Sequence, residues 1–159
     1  MIKIIKIALV AFAAVIATMS VAPAAQAVGT GHEGCTPGYW KNHTDNWQEA
    51  APGDLFGAAF TSARANVAGK TLLQSLQGGG GSGADGAAKV LARAATAAFL
   101  NAAHDGVGYP WRRVGAGEDG RPGLVSTVNA AFATGSRAAM LDLASRLDTD
   151  NNLAECPLN

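Results

Sequence analysis

The stretch DGAAKVLARAATAAFLNAA, residues 85–103, carries the strongest helix signal in the chain. Alanine has the highest helix propensity of all residues, and apolar side chains recur through the stretch at helical spacing. They form one stripe made of Val90, Leu91, Ala94, Ala95, Ala98, Phe99 and Ala102. Because most of these side chains are small, a neighbouring helix can approach closely. The stretch therefore predicts the best-defined helix of the fold.

Shorter helices are predicted on both sides of this one. Upstream, apolar positions at helical spacing favour helices over residues 39–49, 55–60 and 71–76. Downstream, Pro122 suits the first turn of one helix and Ser136 can cap the last. No run alternates between apolar and polar residues over enough positions to predict a strand. The sequence therefore predicts an all-α fold, a small irregular helical bundle of about four to five helices.

Two loops are rich in glycine. Residues 78–83 are five glycines and one serine, and the lysine–serine pair of a phosphate-binding loop does not follow them. We therefore expect a flexible connector there and not a nucleotide site. Residues 112–121 form the second loop, which is charged as well as glycine-rich. The segment CTPG at residues 35–38 is typical of a turn.

The N-terminus has the three zones of a secretory signal. Lys3 and Lys6 give it a positive start, an uncharged apolar run follows, and Ala25-Gln26-Ala27 has the small residues that a signal peptidase requires. Residues 1–27 are therefore predicted to be a signal peptide that is cleaved after Ala27. No second apolar run follows, so the mature chain is predicted to be secreted or periplasmic, without membrane insertion.

Charge and composition exclude some partners. All twelve acidic residues lie beyond the signal, whereas two of the twelve basic residues lie within it. The mature chain thus has a small negative net charge, which disfavours a nucleic-acid partner. Alanine and glycine dominate the sequence, and buried alanines remove little apolar area from water. A thin core of this kind would benefit from a covalent constraint.

Cys35 and Cys156 can supply that constraint. They are the only two cysteines, and the predicted compartment is oxidising, which favours a disulfide between them. Two free thiols or a metal-binding pair are the alternatives, but two thiols without clustered histidines make a poor zinc site. We expect a flexible leader over residues 28–34 and a single helical domain over residues 35–159.

The run CTPGYWKNH, residues 35–43, resembles the opening signature of an uncharacterised family of small secreted proteins and domains. Further stretches resemble the same family in the same order. They are Trp47, the TLLQ segment at 71–74, the FLNAA segment at 99–103, Tyr109-Pro110, and the ending NNL…CPL at 151–153 and 156–158. The resemblance implies a domain that runs from the first cysteine to the second, and it assigns no activity.

Aromatic and polar residues of this signature are the candidate binding residues. They are Tyr39, Trp40, Asn42, His43 and Trp47, with Tyr109 and Trp111 as an extension. In one interpretation the aromatic rings fill gaps that an alanine-rich core leaves open. In the other they form a face that stacks on a glycan or a peptide while the polar groups orient it.

Metal and cofactor sites receive little support from the sequence. His32, His43 and His104 show no ligand spacing, so we predict neither a metal site nor a cofactor. Asp148, Asp150 and Asn152 alternate like the start of a calcium loop. Leu153 stands where that loop requires glycine, and Asn159 stands where it requires glutamate.

Hydrolytic catalysis has equally little support, because none of the serines lies in a nucleophile elbow. The sequence therefore favours a non-enzymatic structural or interaction module, which binds an extracellular glycan or an envelope protein through an aromatic face. A metal-dependent or hydrolytic envelope enzyme is the alternative.

Overall fold

The computed structural model describes residues 31–153 and 156–159. The predicted signal peptide, residues 1–27, lies outside this part of the chain. Seven α-helices occur within it: α1 (Pro37–Asn42), α2 (Phe56–Ala59), α3 (Ala65–Ala68), α4 (Leu72–Leu76), α5 (Gly83–Asn101), α6 (Leu124–Ala133) and α7 (Arg137–Asn151). One 3-10 turn, Thr44–Asn46, follows α1, and residues 31–153 and 156–159 contain no β-strand. The predicted all-α fold is therefore confirmed, and three of the helices have only four or five residues.

Helix α5 lies at the centre of the fold. Twelve of its 19 residues are buried, because α1, α3, α4, α6 and α7 all pack against it. The buried surface differs from the single predicted stripe. Val90, Phe99 and Ala102 of that stripe are only partly buried, whereas other faces of the helix are buried through Ala87, Ala88, Ala92 and Ala97. Small side chains on several faces let helices pack closely on all of them. Within the described part of the chain, no helix is long and apolar enough to span a membrane.

The signature segment is folded differently from the prediction of one helix over residues 39–49. Thr36 caps α1, since its Oγ1 accepts a hydrogen bond from the backbone N–H of Tyr39 at 3.0 Å. Pro37 follows at the first helical position, which its fixed φ suits, so residues 35–38 start a helix instead of forming a separate turn. The helix ends at Asn42, and Trp47 is extended.

The described part of the predicted flexible leader is held against the domain. The backbone N–H of Glu33 donates to the carbonyl of Gly108 at 3.0 Å, and the Glu33 carboxylate accepts from the Gly108 N–H at 2.6 Å. Gly34 is buried on the end of α7, where a Cβ atom would lie 2.2 Å from the carbonyl oxygen of Asp150. Only glycine fits at this position, so the chain enters the domain directly over α7.

The glycine-rich loop at residues 78–83 is also held in place. The Arg137 guanidinium donates to the carbonyls of Gly81 and Gly83 at 3.1 and 2.7 Å. Gly81 lies directly on α5, because a Cβ atom at Gly86 would come within 2.0 Å of the Gly81 carbonyl oxygen. The glycines therefore permit a close backbone crossing as well as a turn.

Candidate functional site

The disulfide between Cys35 and Cys156 closes the domain. The two cysteines are 121 residues apart in sequence, and their Cα atoms are 4.6 Å apart. Cys35 is fully buried. The predicted pairing is confirmed, and in the chain-entropy model a loop of this length stabilises the fold by about 5 kcal/mol.

A fully buried asparagine, Asn101 at the end of α5, bonds to the backbone of the first cysteine. Its Oδ1 accepts from the Cys35 N–H at 2.9 Å and from the Trp40 indole Nε1–H at 3.0 Å. Its Nδ2 donates to the Cys35 carbonyl at 2.9 Å and to Asn151 Oδ1 at 3.0 Å. A side-chain amide has two donors and two acceptor positions. Asn101 therefore uses its entire hydrogen-bonding capacity inside the protein.

Asn151 on α7 extends this network. Its Oδ1 also accepts from the Tyr109 hydroxyl at 2.8 Å, and its Nδ2 donates to the carbonyl of Ala94 at 3.0 Å. Burial, with the Asp150 charge as the next cause, raises the pKa of Tyr109 well above its usual value. The phenol thus stays protonated and remains a donor. We call Cys35, Trp40, Asn101, Tyr109 and Asn151 the asparagine hub.

Trp111 makes a second internal contact next to the hub. Its indole Nε1–H donates to Asp150 Oδ2 at 2.6 Å, and Arg121 Nη2 lies 3.2 Å from the other carboxylate oxygen. Asp150 is only 4% exposed. A buried carboxylate is costly unless it is paired, and here two donors satisfy it. The guanidinium of Arg146 lies 5.8 Å from the Trp111 ring centroid, at the edge of a surface cleft.

Tyr39 joins the helix of the signature to the C-terminus. Its hydroxyl donates to the carbonyl of Leu158 at 3.1 Å and accepts from Asn46 Nδ2 at 2.6 Å. The indole N–H of Trp47 donates to the Trp40 carbonyl at 3.0 Å. These bonds position the 3-10 turn and the last residues of the chain on α1.

An exposed aromatic face built from all the predicted residues does not form. Trp40 is 0% exposed, Trp111 3%, Tyr109 5% and Tyr39 8%. Their rings fill the core beside small alanine side chains, and their N–H and O–H groups donate within the protein. This arrangement corrects the prediction for these four residues, because a buried ring offers no surface for stacking on a ligand.

The other three predicted residues lie at the surface. Asn42 and His43 are exposed, and Trp47 is half-buried. The His43 ring stacks on Tyr39 with centroids 4.2 Å apart and ring planes inclined by 16°. Its Nδ1 lies 2.9 Å from the Tyr39 carbonyl oxygen, so the ring is held in one orientation. The structure therefore brings Asn42, His43 and Trp47 to one short surface segment.

The histidines do not converge with other ligands. Within residues 31–153 and 156–159, no three histidine, cysteine, aspartate or glutamate side chains form a group that could hold a metal ion. The Nδ1 of His104 accepts from the Gly106 N–H at 3.0 Å. Burial lowers the pKa of His104, and the Asp105 charge partly opposes this shift. Both observations favour a neutral ring at the end of α5.

The residues that resembled a calcium loop belong to the last turn of a helix. Helix α7 continues through Asn151, and Asp150 is buried against Trp111 and Arg121. Asn152 donates from Nδ2 to the Asp148 carbonyl at 2.6 Å. The alternation of polar residues is thus explained by pairing and by the end of the helix.

The residues predicted from the sequence do not include Asn101 and Asn151, the two buried asparagines of the hub. The available signal was an asparagine inside an apolar helical run, FLNAA, since asparagine is unfavourable in helix interiors. A buried amide in such a place requires partners. Its partners come from residues 35, 40 and 151, and the local sequence gives no distance between these segments.

Comparison with protein-family models, with curated proteins and with solved structures finds no match to this chain. The fold and the hub define the protein as a disulfide-closed, all-α domain with a buried polar centre. The resemblance of residues 35–43 to a family of small secreted proteins stays a prediction.

Proposed function

We propose that this protein works outside the cytoplasm, secreted or periplasmic, as a non-enzymatic structural or interaction module that contacts an extracellular glycan or an envelope protein. The asparagine hub supports the structural part of this proposal, and the surface segment at residues 41–47 supports the interaction part. The signature contains the most chemically distinctive side chains of the chain, and the hub directs several of them inward. Trp40 and Tyr109 donate to buried asparagines, which is a stabilising role.

The disulfide supports the location. Disulfides persist in oxidising compartments and are rare in the cytosol, and this one joins both ends of the described domain. The predicted signal peptide gives the same location independently. The alanine-rich core of this module is thin. The disulfide therefore adds stability that the module requires outside the cytoplasm.

The contact surface in this proposal is the segment Lys41–Trp47. Lys41, Asn42 and His43 are exposed. The His43 ring, stacked on Tyr39, provides a flat face, and the two residues before it carry an ammonium and an amide donor. Glycan and peptide sites combine a flat ring with a few oriented polar groups. The core holds this segment through Tyr39 and Trp40, so its geometry is pre-organised.

A glycan array and a pull-down from envelope extract test the proposal on the exported protein. We expect His43→Ala and Asn42→Ala to abolish capture of the same ligand. Matched controls are His32→Ala and Asn129→Ala, which change an exposed histidine and an α6 asparagine elsewhere on the domain. These controls are expected to bind like the wild type.

The proposal is contradicted if no ligand depends on residues 41–47, or if purified protein contains stoichiometric transition metal and turns over a substrate. Circular dichroism of each variant separates loss of binding from loss of fold. Because the changed side chains are at the surface, all four variants should fold.

A further inference from the structure

A cavity of about 140 Å³ lies between the glycine-rich loop and α5. Lys70, Ser75, Gly78, Gly79 and Lys89 line it, and Val67 and Ala92 complete its wall. None of these residues belongs to the asparagine hub or to the segment Lys41–Trp47. The cavity is therefore separate from the contact surface proposed above.

The two lysines of the cavity have no counter-charge in the described part of the chain. Both side chains are half-buried, and neither ammonium group has a carboxylate oxygen within 4.0 Å there. Asp85, an acidic residue in the first turn of α5, is engaged by Arg64 at 2.9 Å. A partly desolvated cation without a partner is unfavourable, so the cavity has positive charge available for an anion.

The glycine-rich loop adds backbone hydrogen-bond donors to this charge. Among the described residues, the N–H of Gly79, which lines the cavity, has no protein acceptor, and neither do those of Gly80 and Gly81, which follow it in the loop. The Gly78 N–H, in contrast, donates to the Ser75 carbonyl at 3.1 Å. The carbonyl oxygens of Gly81 and Gly83 accept hydrogen bonds from Arg137, and these bonds fix the course of the loop. Successive free N–H groups in a glycine-rich turn are a recurrent means of binding anions.

We propose that this cavity binds a small tetrahedral oxyanion, a phosphate or sulfate group. Such a group has several oxygen atoms that can accept from two ammonium groups and from backbone N–H groups at once, and charge-assisted bonds of this kind are strong. Lys70 lies two residues before α4, and Lys89 lies in the second turn of α5. A phosphate-binding loop instead has its lysine directly after the glycines, so its sequence pattern is absent here.

Titration of the ¹⁵N-labelled exported protein, with its disulfide intact, tests the site by nuclear magnetic resonance. The probes are inorganic phosphate, inorganic sulfate and methyl phosphate, with sodium chloride as the control for ionic strength. We expect saturable shifts of the Gly79 and Gly80 amide signals with phosphate or sulfate and none with chloride. If methyl phosphate binds as well as phosphate, the site accepts a group esterified to a larger molecule, and otherwise it takes the free ion.

Lys70→Gln and Lys89→Gln are each expected to weaken binding at least about tenfold, since each removes one charge-assisted bond. Lys89→Arg retains the charge and should restore most of the affinity. Arg112→Gln, which removes an exposed cation from the loop at residues 112–121, should change nothing. Amide signals outside the loop report that each variant is folded.

Three results would overturn the proposal. The first is the absence of saturable shifts up to about 20 mM phosphate and sulfate, a concentration at which even a weak specific site is occupied. The second is an equal response to chloride. The third is a Lys70→Gln/Lys89→Gln double variant that binds like the wild type.

Discussion

The two ends of α5 use their polar groups in opposite ways. At the C-terminal end, Asn101 satisfies four hydrogen bonds inside the protein and joins the first cysteine to α7. At the N-terminal end, Lys89 and the amides of Gly79, Gly80 and Gly81 have no protein partner within the described residues. This difference teaches that unusual residues in a sequence can serve stability, while a plain glycine run can leave hydrogen-bonding capacity for a ligand.

Removing the disulfide should have the largest effect on the hub end. The double variant Cys35→Ser/Cys156→Ser should lose about 5 kcal/mol in free energy of unfolding, because its unfolded chain is no longer closed into a long loop. Urea unfolding of this variant beside the wild type measures the change. A loss below about 1 kcal/mol would show that the covalent closure contributes little.

Truncation of Asn101, the central asparagine of the hub, should have the second largest effect on the free energy of unfolding. Asn101→Ala leaves the Cys35 backbone and the Trp40 indole without their partner and removes one hydrogen bond from Asn151, so it should cost about 3 kcal/mol or more. Asn129→Ala is the matched control, since Asn129 accepts one bond from the Ser62 N–H at the surface and should cost at most about 1 kcal/mol. Equal losses in thermal unfolding for the two variants would argue against the hub.

At the N-terminal end of α5, adding a single methyl group tests how closely the loop lies on the helix. Gly86→Ala should destabilise the protein by about 1–3 kcal/mol despite the higher helix propensity of alanine, because the new Cβ collides with the Gly81 carbonyl. Gly69→Ala is the control, since a Cβ there meets no atom within 4 Å. If both substitutions leave the urea midpoint unchanged, the loop does not rest on α5.

The smallest effect is expected at Tyr109, and it depends on pH. Tyr109→Phe removes one buried bond to Asn151 and should cost about 1 kcal/mol near neutral pH. Because the pKa of Tyr109 is raised in the fold, the folded protein retains the phenol proton at a pH at which the unfolded chain, with a pKa of about 10, loses it. The stability that this group contributes is therefore present below pH 10 and declines above it.

The measurement is urea unfolding of wild type and Tyr109→Phe between about pH 7 and pH 11. The difference in free energy between the two proteins should shrink as the pH rises above 10. Parallel curves over the whole range would mean that Tyr109 titrates in the folded state as it does in the unfolded chain.

Much of the fold could be predicted from local signals. The alanine-rich pattern of residues 85–103 predicted α5, and Thr71 with Gln74 forms a capping box at the start of the predicted helix at 71–76. The disulfide followed from the cysteine count and the predicted compartment. The helix over 39–49 was wrong in length, because helical spacing alone gives no information on where His43 leaves helical geometry.

The candidate sites could be predicted only in part. Trp40 and Trp111 were recognised as notable, but their burial depends on Asn101 and Asp150, which reach them from 61 and 39 residues away. Lys70 and Lys89 carry no motif, and only the packing of α3 and α4 on α5 brings them to one cavity. Long-range placement of this kind depends on how the helices pack, which spacing in the sequence does not encode.

Hydrogen exchange at the Trp40 indole nitrogen tests the central claim most directly, since this proton donates to the hub from a fully buried ring. The account predicts that it exchanges only through global unfolding, with an opening free energy equal to the free energy of unfolding measured in urea. Exchange within seconds under native conditions would show that Trp40 is open to solvent, and would contradict the assignment of the signature to the core.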